Sequence, residues 1–246
     1  MVGEVPGRVS LRALAPVIAI TILALWLAAA RPVNVAMFAV AGMSAAVLIG
    51  LGVAAAGRFG RGVRLAGARD VRAGGLGEAT RCLGWSGLLG LVLGMAILGI
   101  LVFGLVPLEP ALATRLRSRA GAPGWLPVAL AFESSVLEEV LFRLFLLSCL
   151  VWLVARGWRR DVQEAAPVVV WSAIGVSSVA FGLAHLPSWF SVAPATPLLV
   201  GSVLGLNAVA GIALGRVYWR CGLEAAIVCH FAADLAVQGL GPRLLA

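Results

Sequence analysis

The sequence predicts an all-α fold, a polytopic transmembrane helical bundle of about seven spans. Three observations carry this. Of the 246 residues, 61% are apolar and only 12% charged, whereas soluble globular domains average about 25% charged residues. Mean hydropathy is +1.03. Apolar runs long enough to cross a bilayer recur along the chain, most of them closed by arginine. No polar stretch is long enough for a separate soluble domain. Residues 1–124 read as N-terminal transmembrane helices with a basic cytoplasmic loop, and residues 125–246 as a core. The two make one membrane domain.

The first apolar run reaches Ala30 after Arg8 and Arg12. Ala28-Ala29-Ala30 before Arg31 has the small-residue character of a signal-peptide cleavage site, but the run is long enough to span, and an uncleaved first helix is expected. A second span covers about 33–56. The loop at 57–81 follows, rich in arginine and in glycine, which weakens helix by up to about 1 kcal/mol per residue. The third span runs to about Pro107. A loop with Arg115, Arg117 and Arg119 leads to the fourth, 125–155, closed by Arg156, Arg159 and Arg160. At 1.5 Å per residue this run outreaches a bilayer core of about 30 Å, so it is tilted or starts in the interface. The fifth span is expected at 167–190 and the sixth at 197–215. A link with Arg216 and Arg220 leads to the seventh at 222–240, where Glu224 suits the positive end of the helix dipole.

The net charge of +8 comes from arginine alone, since the chain has no lysine. With the N-terminus cytoplasmic, most arginines fall on the inside; Arg31, Arg115, Arg117, Arg119 and Arg243 fall outside, and Arg143 lies within the membrane. This places the protein in the cell membrane as a multi-pass protein, with membrane lipid as a partner. The arginines lack aromatic interleaving, so no nucleic-acid partner is expected. Cys82, Cys149, Cys221 and Cys229 match no metal or haem spacing and read as small packing residues.

Against this apolar background the polar residues of the core stand out. Glu133, Glu138, Glu139, Arg143, Asp234 and both histidines, His185 and His230, lie inside predicted spans. Ionisable groups there are costly and mark functional sites by default. Glu139 and Arg143 are spaced i,i+4 and can pair on one face. Glu138, about 100° round the helix, is left to face something else. Phe181 and His185 share the same spacing, so the ring can wall the imidazole. His230 and Asp234 repeat it, so the carboxyl can orient the imidazole or both can face one cavity. Brought together, three helices would enclose a wet pocket. A glutamate can serve there as general base on water, a histidine can share that task or protonate a leaving amine, and a polar pair can stabilise an oxyanion. Neither G-x-S-x-G nor H-E-x-x-H is present. Glu133 reads as a partner for a nearby polar group or a pocket-mouth residue, and Asn207 as a hydrogen-bonding link between helices.

Glu138-Glu139-x-x-x-Arg143, Phe181-x-x-x-His185 and His230-x-x-x-Asp234, in that order on successive apolar segments, resemble the CPBP family, also called Abi, of CAAX prenyl endopeptidases and bacteriocin-processing and immunity membrane proteins. The resemblance covers about residues 129–240. It implies an intramembrane endopeptidase acting on a membrane-associated peptide or protein, prenylated in part of the family. By motif position Glu138 and His185 would activate water, His230 and Asp234 would bind the oxyanion, and Glu139 and Arg143 would hold the site. The family more often has asparagine in place of Asp234. An ionised aspartate cannot donate to an oxyanion, so it is either protonated or orients His230. The metal question stays open: a metal-free glutamate mechanism is one route, and zinc held by Glu138, His185 and His230 is the other.

Two rival functions share these residues. One is a non-catalytic immunity or binding protein on the same scaffold. The other is a proton-coupled transporter, disfavoured by the lack of repeats and of paired broken helices.

Overall fold

The computed structural model describes residues 17–24, 35–57, 75–117, 120–157, 167–191 and 193–245. These residues are helical with short connections, and no strand occurs among them. Residues 17–24 are helical, and the helices after them are α1 (Val35–Gly57), α2 (Gly75–Gly99, prolonged by a π-helical turn Ile100–Leu105), the short α3 (Pro110–Arg117), α4 (Trp125–Gly157, with π-helix over Val140–Leu147), α5 (Pro167–Phe190), α6 (Pro197–Cys221) and α7 (Leu223–Leu244). Five of them, α2 and α4 to α7, are long and apolar enough to cross a membrane, and α1 adds the shorter apolar stretch Ala45–Ala56. Most of the predicted first span, its cleavage motif and the greater part of the basic loop lie outside the described residues.

Helix ends follow local chemistry. Pro197 opens α6 at a position where its missing N–H costs nothing. Thr196 caps that helix by accepting from Leu199 N at 3.1 Å, and its hydroxyl donates to Glu109 at 2.6 Å. Gly222, at φ 93°, joins α6 to α7 without a loop, a backbone state that disfavours any side chain. The sixth span therefore runs on through Arg216 and Arg220, where the sequence predicts a link. Their charge reports the membrane surface rather than the end of the helix. Arg216 lies over Trp171 and Arg156 over Trp152 at that end of the bundle, and Arg115 over Trp189 at the other, as expected of interfacial anchors.

α2 packs along α7, and α5 along α6. Close approach depends on glycine. A methyl group at Gly90 or Gly94 would strike the backbone carbonyl of Cys229 or Ala233 on α7, the latter at 2.4 Å, and one at Gly52 of α1 would meet Leu144 O on α4 at 2.5 Å. Small residues of this kind let membrane helices touch backbone to backbone. The main core gathers Ile49, Val53, Leu144, Leu147, Ile174, Leu214 and Tyr218 between α1, α4, α5 and α6. Apolar side chains such as Val92, Phe103, Val176 and Val179 remain exposed on the outside of the bundle, where lipid would cover them.

The cysteines depart from the expected packing role. Cys82, in the third turn of α2, and Cys221, at the end of α6, form a disulfide with their Cα atoms 5.8 Å apart. Cys149 and Cys229 are free.

Candidate active site

Helix α4 supplies the acids. Glu139 is fully buried, and its Oε1 pairs with Arg143 Nη1 at 2.8 Å, one turn on. The same oxygen accepts from His230 Nδ1 of α7 at 2.9 Å. Glu139 thus holds Arg143 and His230 at once, and it, rather than Asp234, orients the His230 ring. The π-helix that begins at Val140 widens the helix just after this pair. Ser148 Oγ closes the gap by donating back to Arg143 O at 3.3 Å while it contacts Tyr218 Oη at 2.7 Å. Such π segments are frequent at functional sites.

Glu138 points the other way. Its Oε2 is buried without a hydrogen bond and lies 3.7 Å from Nε2 of both His185 and His230. Those distances exceed a hydrogen bond. His185 is fixed through its other nitrogen, Nδ1, which donates to Phe181 O at 2.8 Å. A carbonyl only accepts, so Nδ1 carries the proton and Nε2 presents a lone pair toward Glu138. Phe181 walls both imidazoles, at ring separations of 4.7 Å from His185 and 5.8 Å from His230. Its ring also contacts Phe142 and the Arg143 guanidinium, the latter at 4.5 Å.

Asp234 lies one turn beyond His230, with Oδ1 3.8 Å from His230 Nε2, too far for a direct bond. Its Oδ2 is held by two residues that the sequence did not single out, Ser134 on α4 and Gln238 on α7, the latter at 2.8 Å. Gln238 was legible as the i,i+4 neighbour of Asp234. Ser134 is one turn before Glu138, but nothing in the spacing shows that it faces α7.

These groups open into a cavity of 540 Å³ that also takes in Glu133, Arg115 and Asn207. Glu133 is thus at the cavity wall. The Asn207 amide donates to Val203 O of its own helix at 2.8 Å, so its bond is within α6 and not between helices. Arg115 belongs to α3 rather than to a loop. Its guanidinium donates to Ser188 O and Oγ, and Ser188 in turn donates to His185 O at 2.8 Å. Arg115 is therefore tied to the helix that carries His185.

For a metal, the chemistry of Glu138, His185 and His230 is suitable, since each imidazole is anchored through one nitrogen and offers the other. Among the described residues, however, no three His, Cys, Asp or Glu side chains are gathered closely enough to hold an ion. As they stand, the side chains offer a carboxylate between two imidazoles, an arrangement suited to moving protons.

Comparison with known families agrees with the motifs. Residues 120–236 match the family model described as type II CAAX prenyl endopeptidase Rce1-like. No curated protein and no solved structure matches the chain. The matched stretch holds Glu138, Glu139, Arg143, Phe181, His185, His230 and Asp234, while α1 and α2 lie outside it. The stretch that carries the acids and histidines of this cavity is similar to that family, which supports a CPBP-type intramembrane protease.

Proposed function

We propose that the protein hydrolyses a peptide bond of a membrane-associated peptide or protein within this cavity. The observation that carries the reading is the placing of Glu138 Oε2 at 3.7 Å from two imidazole nitrogens, each free to face it because the opposite ring nitrogen is anchored. Glu138, helped by His185, takes a proton from water as the oxygen attacks the scissile carbonyl. His230, whose Nδ1–H Glu139 accepts, stabilises the developing oxyanion in its doubly protonated form, with Nε2–H as the donor. The proton taken from water passes to the nitrogen as the C–N bond breaks, leaving an acid and an amine. Glu139 and Arg143 act as positioning residues. The 125–246 region is the catalytic core, with the N-terminal helices supporting it.

The test compares membrane-proteome termini in cells carrying wild-type or Glu138→Gln protein, with and without a chelator. General-base loss lowers turnover by roughly 10²–10⁴-fold, so termini that depend on wild type are expected to vanish in the variant. Identical termini would sink the protease reading, and full cellular function of the variant would favour the binding or immunity role. Cleavage that is lost on chelation and restored by zinc would assign Glu138, His185 and His230 as ligands. Cleavage that survives chelation would assign the metal-free route.

A further inference from the structure

Asp234 is held in a manner that suits accepting hydrogen bonds rather than donating them. Ser134 Oγ lies within bonding distance of Leu130 O, Ala131 O and Asp234 Oδ2. The hydroxyl has one proton to give, and the contact to Asp234 Oδ2 is the one that joins α4 to α7. Gln238 turns its amide Nε2 toward the same oxygen. Both donors thus meet Oδ2, and the second oxygen, Oδ1, is left toward His230 and the cavity. An oxyanion approaching Oδ1 would meet an acceptor. A nitrogen bearing hydrogen would meet a partner.

We propose that Asp234 accepts a hydrogen bond from the nitrogen of the departing amine, and that Ser134 and Gln238 are positioning residues that hold it for that task. The proposal rests on the peptidase reading. In the ground state the scissile amide N–H donates to Oδ1. As the water oxygen bonds to the carbonyl carbon, the nitrogen loses conjugation and gains basicity. It then receives the proton that Glu138 took from water. Its positive charge grows beside the Asp234 carboxylate, and the C–N bond breaks. The Oδ1 bond is therefore stronger in the transition state than before it, which is the condition for raising turnover rather than affinity. Asparagine would reverse this polarity: its oxygen would be kept by Ser134 and Gln238, and its NH₂ would face the cavity.

The experiment uses the full-length protein in phospholipid vesicles. The probe is a synthetic peptide carrying the bond found by terminus comparison, made once as the amide and once as the ester. An ester leaving group has no N–H to give. Asp234→Asn is expected to lower kcat on the amide by about 10²-fold, the lower end of acid–base effects, with KM little changed and ester hydrolysis little affected. Ser134→Ala should shift the amide-to-ester ratio in the same direction by a smaller factor. Ser134→Thr, which keeps the hydroxyl, should restore it. An Asp234→Asn protein that cleaves the amide as well as or better than wild type, or that loses amide and ester equally, would overturn the proposal. Loss of both activities in Glu138→Gln shows that the peptidase reading holds whatever Asp234 does, whereas wild type inert on both probes would sink both. The infrared difference spectrum of wild type minus Asp234→Asn gives a readout independent of turnover: a carboxylate band is expected, and an acid carbonyl band would overturn the role of Asp234.

Discussion

Glu139→Ala is expected to destabilise the protein by roughly 3–5 kcal/mol, the cost of breaking a buried ion pair from one side, and to abolish turnover. Arg143 is 1% exposed, and without Glu139 its charge would keep only a long contact to Gly211 O at 3.4 Å and the face of Phe181. His230 would lose the acceptor that fixes its ring. The pair is not ideally satisfied even in the native protein: Glu139 Oε2 and Arg143 Nε are buried without hydrogen bonds, and each such group carries a desolvation cost of about 1–3 kcal/mol. Stability and catalysis should therefore separate in a double variant. Glu139→Leu with Arg143→Met removes both charges and should recover most of the lost stability, because buried pairs are often replaceable by apolar groups. It should recover no activity, because His230 Nδ1 still has no acceptor. Thermal unfolding in detergent and cleavage rates, measured on the same preparations, check both halves. Recovery of cleavage in the double variant would show that Glu139 acts only through Arg143.

The second large effect is expected far from any acid. Gly94→Leu should cost about 10²-fold in turnover, as misplacements near 1 Å do. A Cβ at Gly94 would lie 2.4 Å from Ala233 O. That atom is backbone and cannot swing away, so α2 must move off α7 or α7 must move with it. Ala233 sits between His230 and Asp234, so the displacement passes directly into the site. Gly84→Leu, on the same helix with open space around it, is the control and should be close to silent. Equal activity of the two variants would show that the α2–α7 contact does not set the site.

Much of the site was legible because helical spacing is local. Glu139 with Arg143 and Phe181 with His185 fall together from i,i+4 geometry alone, and the same rule frees Glu138 for the histidines. The spacing is blind to which helix faces which. Ser134 meets Asp234 across a hundred residues, and Glu139, rather than the nearer Asp234, takes His230 Nδ1. The fold shows the same division. The fifth span is legible as 167–190, because Pro167 marks its start and the apolar run its length. The sixth is not legible past 215, since Arg216 and Arg220 look like an exit from the membrane while the helix itself continues to the turn that Gly222 permits. Charge alone places Arg115 in a loop, although residues 110–117 form a helix whose side chains line the cavity.

The Cys82–Cys221 link has a consequence for orientation. It lies at the end of the bundle that carries Arg156 and Arg216, and the positive-inside tendency favours an orientation with that end in the cytoplasm. A mesophilic cytosol keeps thiols reduced, so in that orientation the working form is a dithiol, and α2 is held to the α6–α7 junction by packing alone. A bond that persists in intact cells would turn the molecule over, carrying the arginine-rich end to an oxidising compartment and the mouth of the cavity to the other. A membrane-impermeant thiol reagent applied before and after reduction distinguishes the two. Labelling of Cys82 and Cys221 only after the membrane is opened, without reductant, is the expected result, and labelling of sealed cells only after reduction would reverse the orientation.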